Sequence, residues 1–230
     1  MPQETSLNSY KTTRVFTDRE EPQESFLKLL NKEQRYRVLH FYGIGGIGKS
    51  ALMKHLKNKH LEGKKDTIYS YVNFEDSSRH DKSKALRVLA KRFRDKFGVK
   101  FPLFYTAYAI YWSKINPDLE LTNLNKIPFL NEGSILTGVA GIFDNGISSI
   151  ALNALSYLYE KFGNFISVDY KEDIKKFPQY TQENMENRLS LYFCIDLRNH
   201  IIEKELKNCV IFMDTIETLT EAKNRQKNDR

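Results

Sequence analysis

Apolar positions along the chain repeat with two alternating periods, one suited to strands and one to helices. After a polar start (residues 1–13), VFTDREEPQESFLKLL predicts a helix with Asp18 as a candidate cap and Phe26, Leu29 and Leu30 on its apolar face. The β-branched and aromatic run Tyr36–Tyr42 (YRVLHFY) predicts a buried strand. It leads into GIGGIGKS and a helix carrying Leu52, Leu56 and His60, with Gly63 as its stop. TIYSYVNFED at 67–76 predicts a second strand. The next helix carries Leu86, Leu89, Ala90, Phe93 and Phe97 on one face and Lys84, Arg87, Lys91 and Arg94 on the other, ending at Gly98. Residues 99–180 read as aromatic and irregular, interrupted by Pro102, Pro117, Pro128 and Pro178. A long helix after Thr181 runs through Leu189, Tyr192, Phe193, Leu197, Ile201 and Leu206, and the strand CVIFMD follows at 209–214. No internal repeat is visible.

Strands alternating with helices predict an α/β fold with a parallel sheet and helices on both faces. Ligands of such sheets sit at the carboxyl ends of the strands. Composition narrows the class. The 230 residues are 40% hydrophobic and include 15 Phe and 13 Tyr, too apolar for a disordered chain, and no biased tract marks a fibrous one. Cys194 and Cys209 form no CxxC pair or disulfide framework, which fits a reducing, cytoplasmic setting. The first thirty residues lack the apolar stretch of a secretory signal, and Ile135–Tyr159 is interrupted by Asp144, Asn145 and Asn153, so no membrane partner is expected.

Charge is uneven: residues 1–115 carry 23 basic and 12 acidic side chains, net +11, and residues 116–230 carry 13 and 17, net −4. A basic amino-terminal half suits a polyanion partner or an ordinary solvated surface. A specific anion site lies within it. Gly43, Gly45, Gly46 and Gly48, followed by Lys49 and Ser50, satisfy G-x-x-x-x-G-K-[ST]. Glycines let successive amides converge on an anion, and the helix opening at Lys49 adds its positive end. The predicted cradle is Gly43, Ile44, Gly45, Gly46, Ile47, Gly48, Lys49, Ser50 and Ala51. Lys49 is expected to reach the β- and γ-phosphates, and the Ser50 hydroxyl to hold Mg²⁺.

The strand Val210–Asp214 ends in an acid, the form of a Walker B element whose carboxylate holds Mg²⁺ through a water. Glu217 is a candidate to orient or deprotonate an attacking water, against the alternative of a solvated loop acid. Asn31-Lys32, Asn58-Lys59 and Asn125-Lys126 all lack the Asp two positions on that reads guanine, which points to ATP or ADP as the nucleotide.

With VFTDRE upstream, GIGGIGKS after YRVLHFY, and VIFMDTIE later, the chain resembles the STAND class of signalling ATPases, which includes the NB-ARC and NACHT proteins. The resemblance covers residues 14–76 and 183–218. It implies a P-loop NTPase three-layer sandwich with a mostly parallel sheet and makes Phe16 and Arg19 nucleotide contacts. It also implies an ATP- and Mg²⁺-controlled switch, self-association on ATP binding, and protein sensor or effector domains outside this chain. Bacterial members serve in regulation and anti-phage defence, so the same role is an expectation here.

Two departures shape the domain reading. Lys49 and Asp214 stand 165 residues apart, about twice the spacing the resemblance implies. Residues 99–180 are therefore expected to be an insertion packed on the core, with FPLFYTAYAIYW (101–112) as core or interdomain packing. The expected division is a flexible tail (1–13), the first part of the ATPase core (14–98), the insertion (99–180), and the Walker B part with a polar tail (181–230). The sandwich is expected to be incomplete at its carboxyl end, since Arg230 comes 16 residues after Asp214, before the family's sensor and lid elements. ATP hydrolysis is expected to be slow or absent unless those elements are supplied. The rival readings are an origin-recognition-like AAA+ ATPase that sets the Lys84–Arg94 face on DNA, a small-molecule phosphotransferase, and an interaction module with a vestigial P-loop.

Overall fold

The computed structural model describes residues 19–33, 35, 37–115, 170, 173–174 and 176–219. These fall into two compact units, one up to Glu62 and one from Gly63 onward.

The first unit holds two helices, α1 (Glu20–Leu30) and α2 (Lys49–His60). In α1, Glu20 and Glu21 occupy the first turn and Lys28 the last, matching the helix dipole. Pro22 is harmless there because first-turn N–H groups have no helical acceptor. Phe26 and Leu30 are buried at i,i+4 spacing, as the pattern predicted. Leu52, Met53 and Leu56 form the buried stripe of α2.

The first predicted strand is not seen among the described residues. Residues 37–44 carry no regular secondary structure, and Val38 and Tyr42 are 82% and 83% exposed. A β-branched and aromatic run becomes a strand only where a neighbour supplies a hydrogen-bonding ladder and a surface to pack on.

In the second unit, β1 (Thr67–Asn73) and β2 (Asn208–Asp214) pair in parallel, in register from Thr67↔Asn208 to Asn73↔Asp214. Among the described residues this is a two-stranded sheet in a mixed α/β architecture. Between the strands run α3 (Lys82–Phe97), α4 (Pro102–Ile115) and α5 (Gln182–Glu203). The predicted end of α3 at Gly98 is realised, and its start carries a cap that the sequence reading did not single out. The Asp81 side chain accepts the Lys84 N–H, and Gly98 closes the helix at φ 68°. Thr181 caps α5 in the same way, its hydroxyl accepting the Asn184 N–H.

The segment read as irregular at 99–180 contains α4. Helical periodicity could not reveal it, because Phe101, Leu103, Phe104, Tyr105, Ala107, Tyr108, Ile110 and Tyr111 are all buried and the helix has no polar stripe. Pro102 sits at its first position, where the fixed φ favours a helix start. As expected for FPLFYTAYAIYW, the segment is core. The Phe101 ring stacks on Phe193 of α5 at 5.0 Å and 15°. Buried Asp196 of α5 accepts the Phe104 N–H near the start of α4 at 2.9 Å, and desolvation drives its carboxyl well above the ordinary range. Most of the rest of the segment expected to be an insertion, 116–169, lies outside the described residues, as do 1–13 and 220–230. No helix among the described residues is long and apolar enough to cross a membrane.

Candidate functional site

The loop before α2 is shaped by three glycines with positive φ: Gly43 at 148°, Gly46 at 80° and Gly48 at 93°. Gly48 is the N-cap of α2 in the left-handed region, a conformation that costs other residues about 1–2 kcal/mol. At Gly43 an added Cβ would also stand 3.0 Å from the Ile47 Cγ2. Gly45 differs from these three. Its φ lies outside the positive region, and a Cβ there meets nothing within 4 Å. Among the described residues, neither a positive φ nor packing calls for a glycine at that position.

The loop's amides are largely uncommitted. Ile47 N–H donates to the Ile44 carbonyl at 3.4 Å, while those of Gly45, Gly46 and Gly48 make no hydrogen bond among the described residues. The first-turn amides of α2, at Lys49, Ser50 and Ala51, have no acceptor within the helix. No acidic residue occupies that turn, so the positive helix end is unneutralised. Gly43–Ile47, Ser50 and Ala51 are exposed.

Two cations stand beside this loop. Lys49 Nζ donates to the Gly43 carbonyl at 2.8 Å and the Ile44 carbonyl at 3.3 Å, so the ammonium lies back across the loop with one donor to spare. Arg19, the N-cap of α1, donates from Nη2 to the Ile47 carbonyl at 2.5 Å. The first unit thus brings Arg19, Lys49 and the predicted cradle together. Phe16 lies outside the described residues.

The predicted acid of the second unit is set quite differently. Asp214 ends β2 and is 6% exposed. The Tyr71 hydroxyl donates to Asp214 Oδ2 at 2.7 Å, and the Thr215 N–H donates to Oδ1 at 3.0 Å. The register explains the first contact. Asn73 is opposite Asp214, and Tyr71, two residues earlier, projects from the same face, within diagonal reach. Burial, then the Asp214 hydrogen bond and charge, push the Tyr71 hydroxyl up to about 12, with Arg92 and Arg79 opposing.

Thr215 adopts φ 58°, strained for a β-branched residue, and its hydroxyl donates to Asn73 Oδ1 at 2.9 Å. The Thr218 hydroxyl bonds the Phe74 carbonyl at 2.9 Å, tying the turn after β2 to the end of β1. Glu217 is exposed. With one donor on each oxygen, the Asp214 carboxylate keeps lone pairs for a further donor such as a metal-bound water. Among the described residues no group of three or more His, Cys, Asp or Glu side chains is gathered as a metal site. Sequence reasoning missed Tyr71, Asn73 and Thr215, because no strand alone reveals its register with another.

The comparisons with known proteins bear on the first of these regions. Residues 16–112 are similar to the family model described as Nephrocystin 3, N-terminal. The match covers under half of the chain; it includes Arg19, the whole loop and Tyr71, and stops short of Asp214 and Glu217. No curated protein and no solved structure matches the chain.

Proposed function

We propose that this chain is an ATP- and Mg²⁺-binding nucleotide-switch domain of the STAND-like signalling type, built on a P-loop sandwich and working in the cytoplasm. The observation that carries the reading is Gly45. It is a glycine that neither the backbone nor the packing demands, set among unbonded amides at a helix start, so its missing side chain leaves room for a close-approaching anion. Lys49 and the amides of Gly43–Ala51 would hold the phosphates, and Ser50 the magnesium ion. Arg19 would add a second cation at the Ile47 end, and Phe16 a further nucleotide contact. The same reading gives Asp214 a water-mediated hold on magnesium, and Glu217 the orientation of an attacking water. Magnesium supplies charge neutralisation at the phosphates. Self-association on ATP binding, sensor or effector partners, a role in defence and slow hydrolysis complete the proposal and rest on the STAND resemblance.

Calorimetry of Mg-ATP binding tests the reading directly. Lys49→Ala should weaken binding by about a hundredfold or more, the worth of a charge-assisted contact to phosphate. Equal affinity of wild type and variant would sink the site. The rival DNA reading draws less support from α3. Lys91 and Arg94 of its basic face both pair with Asp95, at 3.6 and 2.7 Å.

A further inference from the structure

Gln23 of α1 stands at the centre of a short hydrogen-bond chain that ends at the glycine-rich loop. Its Oε1 accepts from Lys59 Nζ at 3.0 Å and faces His55 Nε2 at 3.3 Å, two side chains one turn apart on α2. Its Nε2 donates to the Arg19 carbonyl at 3.0 Å, and that carbonyl also accepts the Gln23 main-chain N–H at 3.3 Å. Arg19 in turn donates to the Ile47 carbonyl.

Chemistry fixes the orientation of the amide. An ammonium can only donate and a carbonyl can only accept, so Oε1 must face Lys59 and Nε2 must face Arg19. Of the ordinary side chains of this length, only the glutamine amide offers both functions; a carboxylate lacks the donor and an ammonium the acceptor. Arg19 itself lacks a side-chain cap, and its backbone angles (φ −128°, ψ 33°) fall outside the standard regions. Its main chain is therefore held by Gln23.

We propose that Gln23 is a positioning residue for the nucleotide site: it anchors the backbone of Arg19 to α2, the helix that opens at the loop, and so sets where the guanidinium meets the phosphates. This rests on the loop being an ATP site.

The test is a double-mutant cycle on the full chain, with Mg-ATP as the probe in calorimetry and thermal unfolding without nucleotide as the second readout. Gln23→Ala should weaken ATP binding about fivefold, the net worth of one hydrogen bond, and do nothing further in an Arg19→Ala background. Gln23→Glu keeps the acceptor for Lys59 and His55 but sets a carboxylate against the Arg19 carbonyl. It should keep the unfolding midpoint and still lose the affinity. Unchanged affinity in both Gln23 variants would overturn the proposal while Lys49→Ala still upholds the ATP site. An undiminished Gln23→Ala effect in the Arg19→Ala background would also overturn it. A wild type that binds no Mg-ATP overturns both.

Discussion

The start of α2 and the end of β2 are both functional candidates, yet they are finished in opposite ways. At the loop, the amides of Gly45, Gly46 and Gly48 make no hydrogen bond among the described residues, and Lys49 lies against main-chain carbonyls. At the strand end, every polar atom of the acid is answered: Tyr71 on one carboxylate oxygen, the Thr215 amide on the other, and the Phe74 amide on the backbone carbonyl. A loop whose donors are left over is built for something brought to it. A buried acid with each oxygen engaged is built to stay where it is. Substitutions at the loop should therefore act on binding with little cost in stability, while those at the strand end should act on stability first.

The largest effect on stability is expected at the closed end. Asp214→Ala removes a buried carboxylate and leaves the Tyr71 hydroxyl and the Thr215 amide without their acceptor, at a cost of about 2–3 kcal/mol. Urea unfolding followed by circular dichroism measures it. A variant as stable as wild type would mean that the strand end is as loosely finished as the loop, and the contrast would collapse.

A smaller loss, about 1 kcal/mol, is expected for Tyr71→Phe, which deletes one hydrogen bond and keeps the ring beneath Arg92. This variant also carries a pH signature. Tyr71 titrates near 12 when folded, against about 10 for an unfolded tyrosine. The native state therefore holds the proton more tightly, and the stabilisation is complete below pH 10 and lost as pH rises from 10 towards 12. Tyr111 and Tyr192 are raised by burial as well, so the second unit should lose stability as pH rises above 10. Tyr71→Phe should flatten part of the slope; an unchanged alkaline profile would remove Tyr71 from the account of the closed end.

The same contrast marks what could be read in the sequence. The loop was legible because its chemistry is contiguous: glycines, lysine and serine stand within eight positions, and local spacing dictates local geometry. Helix α3 was legible for a similar reason, with its apolar face and its Gly98 end set by neighbours a few residues away, although its Asp81 cap was not singled out. The clamp on Asp214 depends on Tyr71, 143 positions distant in sequence, and on a parallel register that neither strand encodes alone. The strand expected at 36–42 shows the same limit from the other side, since its composition was right but pairing is decided by partners outside the segment. Helix α4 escaped notice because burial on all sides erased the period that exposes a helix. Arg19 is an intermediate case: its likeness to a family signature pointed to the nucleotide, and the structure sets it on the Ile47 carbonyl, but its contact with the Gln23 side chain leaves no mark in the sequence.

The smallest expected change in stability is also the most discriminating. Gly45→Ala adds a methyl group that meets nothing within 4 Å among the described residues, at a residue whose φ is not in the positive region, so unfolding free energy should stay within about 0.5 kcal/mol of wild type. Mg-ATP affinity, measured on the same preparation, should fall at least about tenfold, because the methyl occupies the space in which an anion approaches the amides. Loss of stability would show that Gly45 serves the fold after all. Full stability with full affinity would show that the space beside Gly45 is not where the phosphates lie. Only the split result, an intact fold with a damaged site, matches a loop whose glycine is kept for a ligand.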